Sequence, residues 1–151
     1  VNDGTVTVIG SDHAPHTLEE KAKPYPDAPS GLTGVQTMLP LMLDHMNQGR
    51  LSLERLVELM CRNNGRLYGA RGKGEIRVGF DADFSIIDLS KERVIENKWI
   101  ASKSGWTPYD GMKTKGWPVA TLVRGNIVMR DFETVGEPIG LPITFDQNAG
   151  L

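Results

Sequence analysis

Gly10-Ser11-Asp12-His13-Ala14-Pro15-His16 is the stretch on which the fold and chemistry of this 151-residue chain turn. Thr5-Val6-Thr7-Val8-Ile9 runs into it, short and β-branched, with turn-forming Asn2-Asp3-Gly4 ahead. That pattern predicts a buried strand ending at Gly10. Asp12 then lies at the strand's C-terminal end, beside residues 17–33, whose Pro24, Pro26 and Pro29 predict a long ordered loop. Catalytic groups of α/β barrels occupy that place. An Asp there can ligate a metal or carry a proton, and a His can ligate or hydrogen-bond an anion. Taken alone, two histidines near an aspartate favour a structural or surface role over chemistry. Pro15 argues against a helical pair of ligands and for a fixed turn that aims His16 separately.

Beyond the loop the period changes. Val35, Met38, Leu39, Met42, Leu43 and Met46 recur at helical spacing, which predicts a helix from Gly34 to about Asn47, ended by Gly49. Pro40 should kink it or lie close to its first turn. The methionines are better read as core packing than as a binding stripe. Ser52 is a good N-cap for a second helix with Leu53, Leu56, Val57 and Met60 on one face. Asn63-Asn64-Gly65 should interrupt or end it, with a short helical piece over 66–68.

After Gly72 glycines separate short alternating runs. Residues 75–77, 84–88, 94–96, 120–123 and 127–129 are the predicted strands, and Arg124-Gly125-Asn126 fits a tight hairpin turn. The chain therefore divides into a strand–loop–helix zone, residues 1–71, and a β-rich zone with an irregular tail, residues 72–151.

Composition bounds the function. A net charge of -2, with 39% hydrophobic and 24% charged residues, describes a globular protein with no electrostatic case for nucleic acid or an anionic membrane. No apolar run approaches the roughly 20 residues that cross a bilayer. The absent initiator Met predicts a chain that begins inside a longer protein, and no signal segment is expected at its start. A single cysteine, Cys61, cannot form an internal disulfide and predicts a cytoplasmic location. It is read as a small buried apolar residue rather than a nucleophile.

Gly10 to His16, with Lys21 beyond, resembles the signature of the dihydroorotases, cyclic amidases of the amidohydrolase superfamily. Dihydropyrimidinases and allantoinases resemble it through the Asp but usually differ at Ala-Pro-His. Ser30-Gly31-Leu32-Thr33-Gly34-Val35-Gln36-Thr37 is similar to the next dihydroorotase block, with Gln36 where many members carry Glu, a subgroup difference. Residues 73–84 resemble the C-terminal β-domain of amidohydrolases, and residues 104–111 are similar to late dihydroorotase sequence.

The resemblance implies an α/β fold. Residues 1–71 would be the last strand, active-site loop and helices of a TIM-like (β/α)8 amidohydrolase barrel. Residues 72–151 would form a small β-sandwich-type domain and tail. It implies that Asp12 ends the eighth strand, binds metal and carries the proton, with Zn2+, one or two ions, as cofactor. His16 would hydrogen-bond the substrate and orient its carboxylate. The backbone at Ser30 and Gly31 would contact the pyrimidine ring, glycine permitting the close approach. The substrates implied are dihydroorotate and N-carbamoyl-aspartate, interconverted in pyrimidine biosynthesis. A homodimer is implied, as is association with aspartate transcarbamoylase. His13 carries no implied role, and His45 should be exposed. Asp81 and Asp83 look like a metal pair but fall in a structural turn, and Trp106 and Trp117 should be packing residues.

The rest of such a metal site needs a His-x-His pair, a carbamylated Lys and further histidines. This chain has three histidines and no His-x-His. A whole barrel takes about 250 residues. The 151 residues alone should therefore be inactive, with apolar faces that dimerisation or swapping would cover. A catalytically dead relative that supports a partner enzyme is the alternative of another class, and retention of Asp12 and His16 speaks against it. A dihydropyrimidinase- or allantoinase-type hydrolase, or a small α+β domain matching by chance, are the others.

Overall fold

The computed structural model describes residues 1–146, and the chain falls into two compact units. The first comprises Val1–Ile9, Gln48–Asp88 and the residues from Pro118 on; the second comprises Gly10–Asn47 and Leu89–Trp117. No helix among the described residues is long and apolar enough to cross a membrane.

In the first unit the Ser52 hydroxyl accepts the Arg55 N–H at 3.1 Å and caps α3 (Leu53–Val57), as its sequence position demands. Leu51, Leu56 and Leu59 are buried here. The helical path does not break at Asn63-Asn64-Gly65. It runs through a π turn (Glu58–Arg62) into α4 (Asn63–Leu67). In the π turn the Asn63 N–H reaches back to the Glu58 carbonyl, one residue further than in an α-helix. The Leu59 carbonyl, released from that donor, accepts from Ile9 N–H at 3.2 Å and Asn64 Nδ2 at 2.7 Å. Within α4 position 65 calls for glycine, because a Cβ there would stand 2.8 Å from the Lys73 carbonyl.

Two expected strands are not strands, and of a third, 94–96, only Val94 is one, as the end of the strand from Phe84. Thr5–Ile9 carries no ladder among the described residues, and Val6, Val8 and Ile9 are only half-buried. Two of its carbonyls are taken by side chains instead: Arg55 donates to the Val6 carbonyl at 2.5 Å and Asn63 to the Thr7 carbonyl at 2.8 Å. Residues 75–77 likewise stay irregular, with Glu75 held by Arg66 at 3.3 Å and Arg62 at 3.6 Å. The strands that do form make one sheet in the order β1 (Phe84–Val94), β2 (Lys113–Val123), β3 (Asn126–Arg130), β4 (Glu133–Thr134). β2 pairs antiparallel with β3, closing at Val123 and Asn126 around Arg124-Gly125. Both turn residues have positive φ, +44° and +78°, which matches the twist that two-residue hairpins require.

In the second unit α1 (Leu18–Lys21) breaks up the expected loop, and α2 (Met38–Asn47) carries Pro40 in its first turn, where the missing N–H leaves no intrahelical bond unmade. The face of α2 most removed from water is Pro40, Leu43 and Asp44, rather than the expected line through the methionines. Backbone polarity explains it. Asp44 Oδ1 accepts the Lys115 N–H at 2.9 Å, and Asn47 Nδ2 donates to the Lys115 carbonyl at 2.9 Å. Gly116, at φ +97°, lets the two segments meet, since a Cβ there would lie 2.8 Å from Leu43 Cβ. Trp117 is fully buried, as expected, with Trp99 edge-on at 5.1 Å and the Arg93 guanidinium over its ring at 5.2 Å. His45, expected exposed, is half-buried on α2.

Candidate active site

All the candidate residues lie in the second unit, on two chain segments laced side by side. Residues 11–16 form one and residues 29–35 the other. The Ala14 N–H donates to the Leu32 carbonyl at 2.9 Å, and His13 and Leu32 make a parallel bridge. Val35 N–H reaches His13 Nδ1 at 3.4 Å, so the imidazole of His13 is an acceptor in the seam. Glycines set the spacing. A Cβ on Gly31 would stand 2.4 Å from Ala14 Cβ, and one on Gly34 would stand 2.7 Å from the Ser11 carbonyl.

Asp12 sits between these contacts at φ +44°. That left-handed conformation costs a non-glycine residue roughly 1 kcal/mol, least for Asp and Asn. The seam on either side, Ser11 on Gly34 and His13 on Leu32, holds it there. Its side chain is exposed, and none of the hydrogen bonds or ion pairs among the described residues engages its carboxylate. An unpaired carboxylate on a strained, over-determined turn has the character of a functional group rather than a structural one. It is also a suitable oxygen ligand for a metal ion. Among the described residues no group of three or more His, Cys, Asp or Glu stands together to hold one, so Asp12 fits as one ligand of a site, not as a site.

His16 follows as the residue before the α1 cap. Thr17 and Glu20 form a capping box: Thr17 Oγ1 accepts the Glu20 N–H at 3.2 Å, and Glu20 Oε2 accepts the Thr17 N–H at 2.8 Å. The same Oε2 lies 3.7 Å from His16 Nδ1. Those hydrogen bonds from Thr17, and then the neighbouring His16, hold the Glu20 carboxyl below the usual range. The His16 carbonyl accepts the Trp106 indole N–H at 2.7 Å. Trp106 in turn accepts through its own carbonyl from the Thr33 hydroxyl at 2.5 Å. Trp106, expected as simple packing, thus bridges the two segments through hydrogen bonds. Ser30 is exposed, and Gly31 takes φ +95°.

Two residues that tie the site together carried no role in the sequence. Lys21 Nζ donates to the Pro29 carbonyl at 2.7 Å and the Gly31 carbonyl at 3.1 Å. Gln36 donates to the Trp99 carbonyl at 2.7 Å and accepts the Ala101 N–H at 2.8 Å. An amide makes both bonds, whereas an ionised Glu makes only the second, which gives the Gln at this position a physical reason. Lys21 and Trp106 were visible as members of the recognised blocks, but their partners are fixed only in three dimensions.

Against known proteins, a profile described as the amidohydrolase family matches residues 1–128. Dihydroorotase of Pyrococcus furiosus is 42% identical over 139 residues, which span 92% of this chain and 32% of that protein. Dihydroorotase of Pyrococcus abyssi is 44% identical over 135 residues, 89% of this chain and 32% of that one. Among solved structures, the L-hydantoinase (dihydropyrimidinase) of Arthrobacter aurescens superposes with a TM-score of 0.85 at 40% identity, covering 90% of this chain and 31% of its own. The chain spans about a third of the length of the curated relatives it matches. Motif, laced turn and profile agree, and the chain belongs to the amidohydrolase family.

Proposed function

We propose that this chain is the C-terminal part of a metal-dependent cyclic-amide hydrolase that interconverts dihydroorotate and N-carbamoyl-aspartate. The observation that carries the proposal is the unpaired Asp12 carboxylate, held in a left-handed turn by the seam to residues 31–35. The dihydroorotases at 42% and 44% identity support the choice of substrate. Under this proposal residues 1–71 end a (β/α)8 barrel and residues 72–151 form a small sandwich-type domain. The parent is a cytoplasmic homodimer able to associate with aspartate transcarbamoylase.

Zn2+, one or two ions, is the implied cofactor, and Asp12 is the residue of this chain that would hold it. Such an ion supplies Lewis-acid chemistry when bound, acidifying water and polarising a carbonyl oxygen. The chain's own residues do the rest. In ring opening the Asp12 carboxylate takes the proton that water loses as it attacks the ring carbonyl, and returns it to the amide nitrogen as the C–N bond breaks. In ring closure the proton travels the same path backwards. His16 donates to the substrate carboxylate, and the Ser30–Gly31 backbone, bare of side chain at Gly31, lies against the ring.

The test uses the full-length protein with L-dihydroorotate and with hydantoin, before and after chelation. Dihydroorotate should be the better substrate, and chelation should lower its turnover at least about a hundredfold, with Zn2+ restoring it. Turnover indifferent to chelation, or confined to hydantoin, would refute the proposal.

A further inference from the structure

Lys21 is the one cation of the site whose ammonium is turned wholly onto backbone. It leaves the last turn of α1 and donates to two carbonyls, Pro29 at 2.7 Å and Gly31 at 3.1 Å. Its side chain is half-buried, and none of the carboxylates pairs with it in the ion pairs among the described residues. A lysine on a surface helix ordinarily keeps its head in water, so two carbonyl bonds on one loop need a reason. The loop between them supplies it. Residues 22–30 carry Pro24, Pro26 and Pro29 and little internal bonding, the Asp27 and Ala28 N–H groups to the Pro24 carbonyl at 2.9 and 3.1 Å. The far end of the loop is tied back to its start by the Lys21 ammonium and set against the seam by the close approach of Gly31 to Ala14.

We infer that Lys21 is a positioning residue that latches the 22–30 loop and so fixes the Ser30–Gly31 backbone against the substrate ring. This inference rests on the cyclic-amide hydrolase assignment for its substrate but goes beyond it, to a residue that touches no reacting atom. The bond pattern is what a latch requires. With its carbonyl taken by Lys21, Gly31 is held at φ +95°. The α1 capping box ties the same short helix to His16 through Glu20. One four-residue helix therefore sets the spacing between the two segments that bind substrate. Contacts made equally in the ground and transition states appear in KM and leave kcat alone. Releasing the latch should do the same.

The experiment compares wild type, Lys21→Met and Lys21→Arg in the full-length protein. It reads kcat and KM for L-dihydroorotate, together with hydrogen exchange at Asp27 and Ala28. Lys21→Met is expected to raise KM about tenfold with kcat within about twofold. Exchange in the loop should rise, and Arg, whose donors reach the same carbonyls, should recover most of both. A loss of kcat at constant KM marks a structural residue that only lowers the folded fraction, and overturns the latch. Unchanged loop exchange in Lys21→Met overturns it too. A wild-type enzyme that opens neither dihydroorotate nor hydantoin overturns the hydrolase assignment, and the substrate half of this inference with it. Wild-type turnover with an unmoved KM in Lys21→Met overturns the latch alone.

Discussion

Asp12 and the pair Asp81 and Asp83 look alike in sequence, acidic residues in glycine-rich turns, and the structure gives them opposite fates. Asp83 accepts the Arg124 N–H at 2.8 Å and is ion-paired to Lys73, which also binds Asp81 at 2.7 Å. Their bonds join the turn after Gly72 to the β2–β3 hairpin, where Gly125 N–H also meets the Ala82 carbonyl at 2.9 Å. Asp12 has the strained backbone and no partner. A carboxylate bonded into its neighbours stabilises a fold, and one held in place by its backbone but left without a partner is open to chemistry. Counting partners separates the two where motif and composition do not.

Three substitutions test that contrast in full-length protein. Asp12→Asn keeps the shape and the left-handed tolerance but removes the proposed proton carrier. Turnover should fall about a thousandfold, while the melting temperature stays within about 1 °C because no bond is lost. A large loss of stability instead would make Asp12 another structural carboxylate. Gly31→Ala attacks the frame around Asp12. The added Cβ meets Ala14 at 2.4 Å from a φ of +95°, so about 2–4 kcal/mol of stability should go, read by denaturant titration.

Asp83→Asn gives the smallest effect. Lys73 holds the Asp83 carboxyl below its ordinary value, aided by the Arg124 N–H, and hydrogen bonds to Asp81 and Asp83 raise the Lys73 ammonium above its own. The groups are partly exposed, so the substitution should cost about 1 kcal/mol. A depressed carboxyl contributes above its unfolded value and loses that contribution as pH falls through its folded one. The raised ammonium contributes at neutral pH and loses it as pH climbs through its folded value, above 10.5. The difference between wild type and Asp83→Asn, followed by thermal unfolding, should therefore be full near neutrality and close at both extremes. A difference that persists in strong acid would mean the ion pair is not its source.

What could be read in the chain follows from how local its causes are. Ser52, Pro40 and Arg124-Gly125 act within a few residues, and each does what its position foretells. The capping box Thr17-Leu18-Glu19-Glu20 was equally local, but the prolines behind it drew the segment into a loop. Thr5–Ile9 and residues 75–77 have a strand's texture without a strand's partners: Arg55 and Asn63 take carbonyls of the first, and Arg62 and Arg66 hold the second through the Glu75 side chain. Asn63-Asn64-Gly65 looks like a helix stop, yet Asn64 bonds the Leu59 carbonyl and Gly65 makes room for the Lys73 backbone. At the site, the Asp12–His16 motif was legible and the lacing was not. Seams such as Trp106 to His16, 90 positions apart, have no trace in local pattern.

The π turn at Glu58–Arg62 leaves a mark in the numbering of the chain itself. An i-to-i+5 ring holds one residue more than the α-helical ring it replaces, so the helix carries a surplus amino acid at that point. Removing one residue there would not break the helix; it would heal it into a regular one. The Leu59 carbonyl would then return to its own helix and let go of Ile9. A length change of a single codon, far along the chain, would thus loosen the last residue before the motif, while a composition count of the helix would register no damage at all.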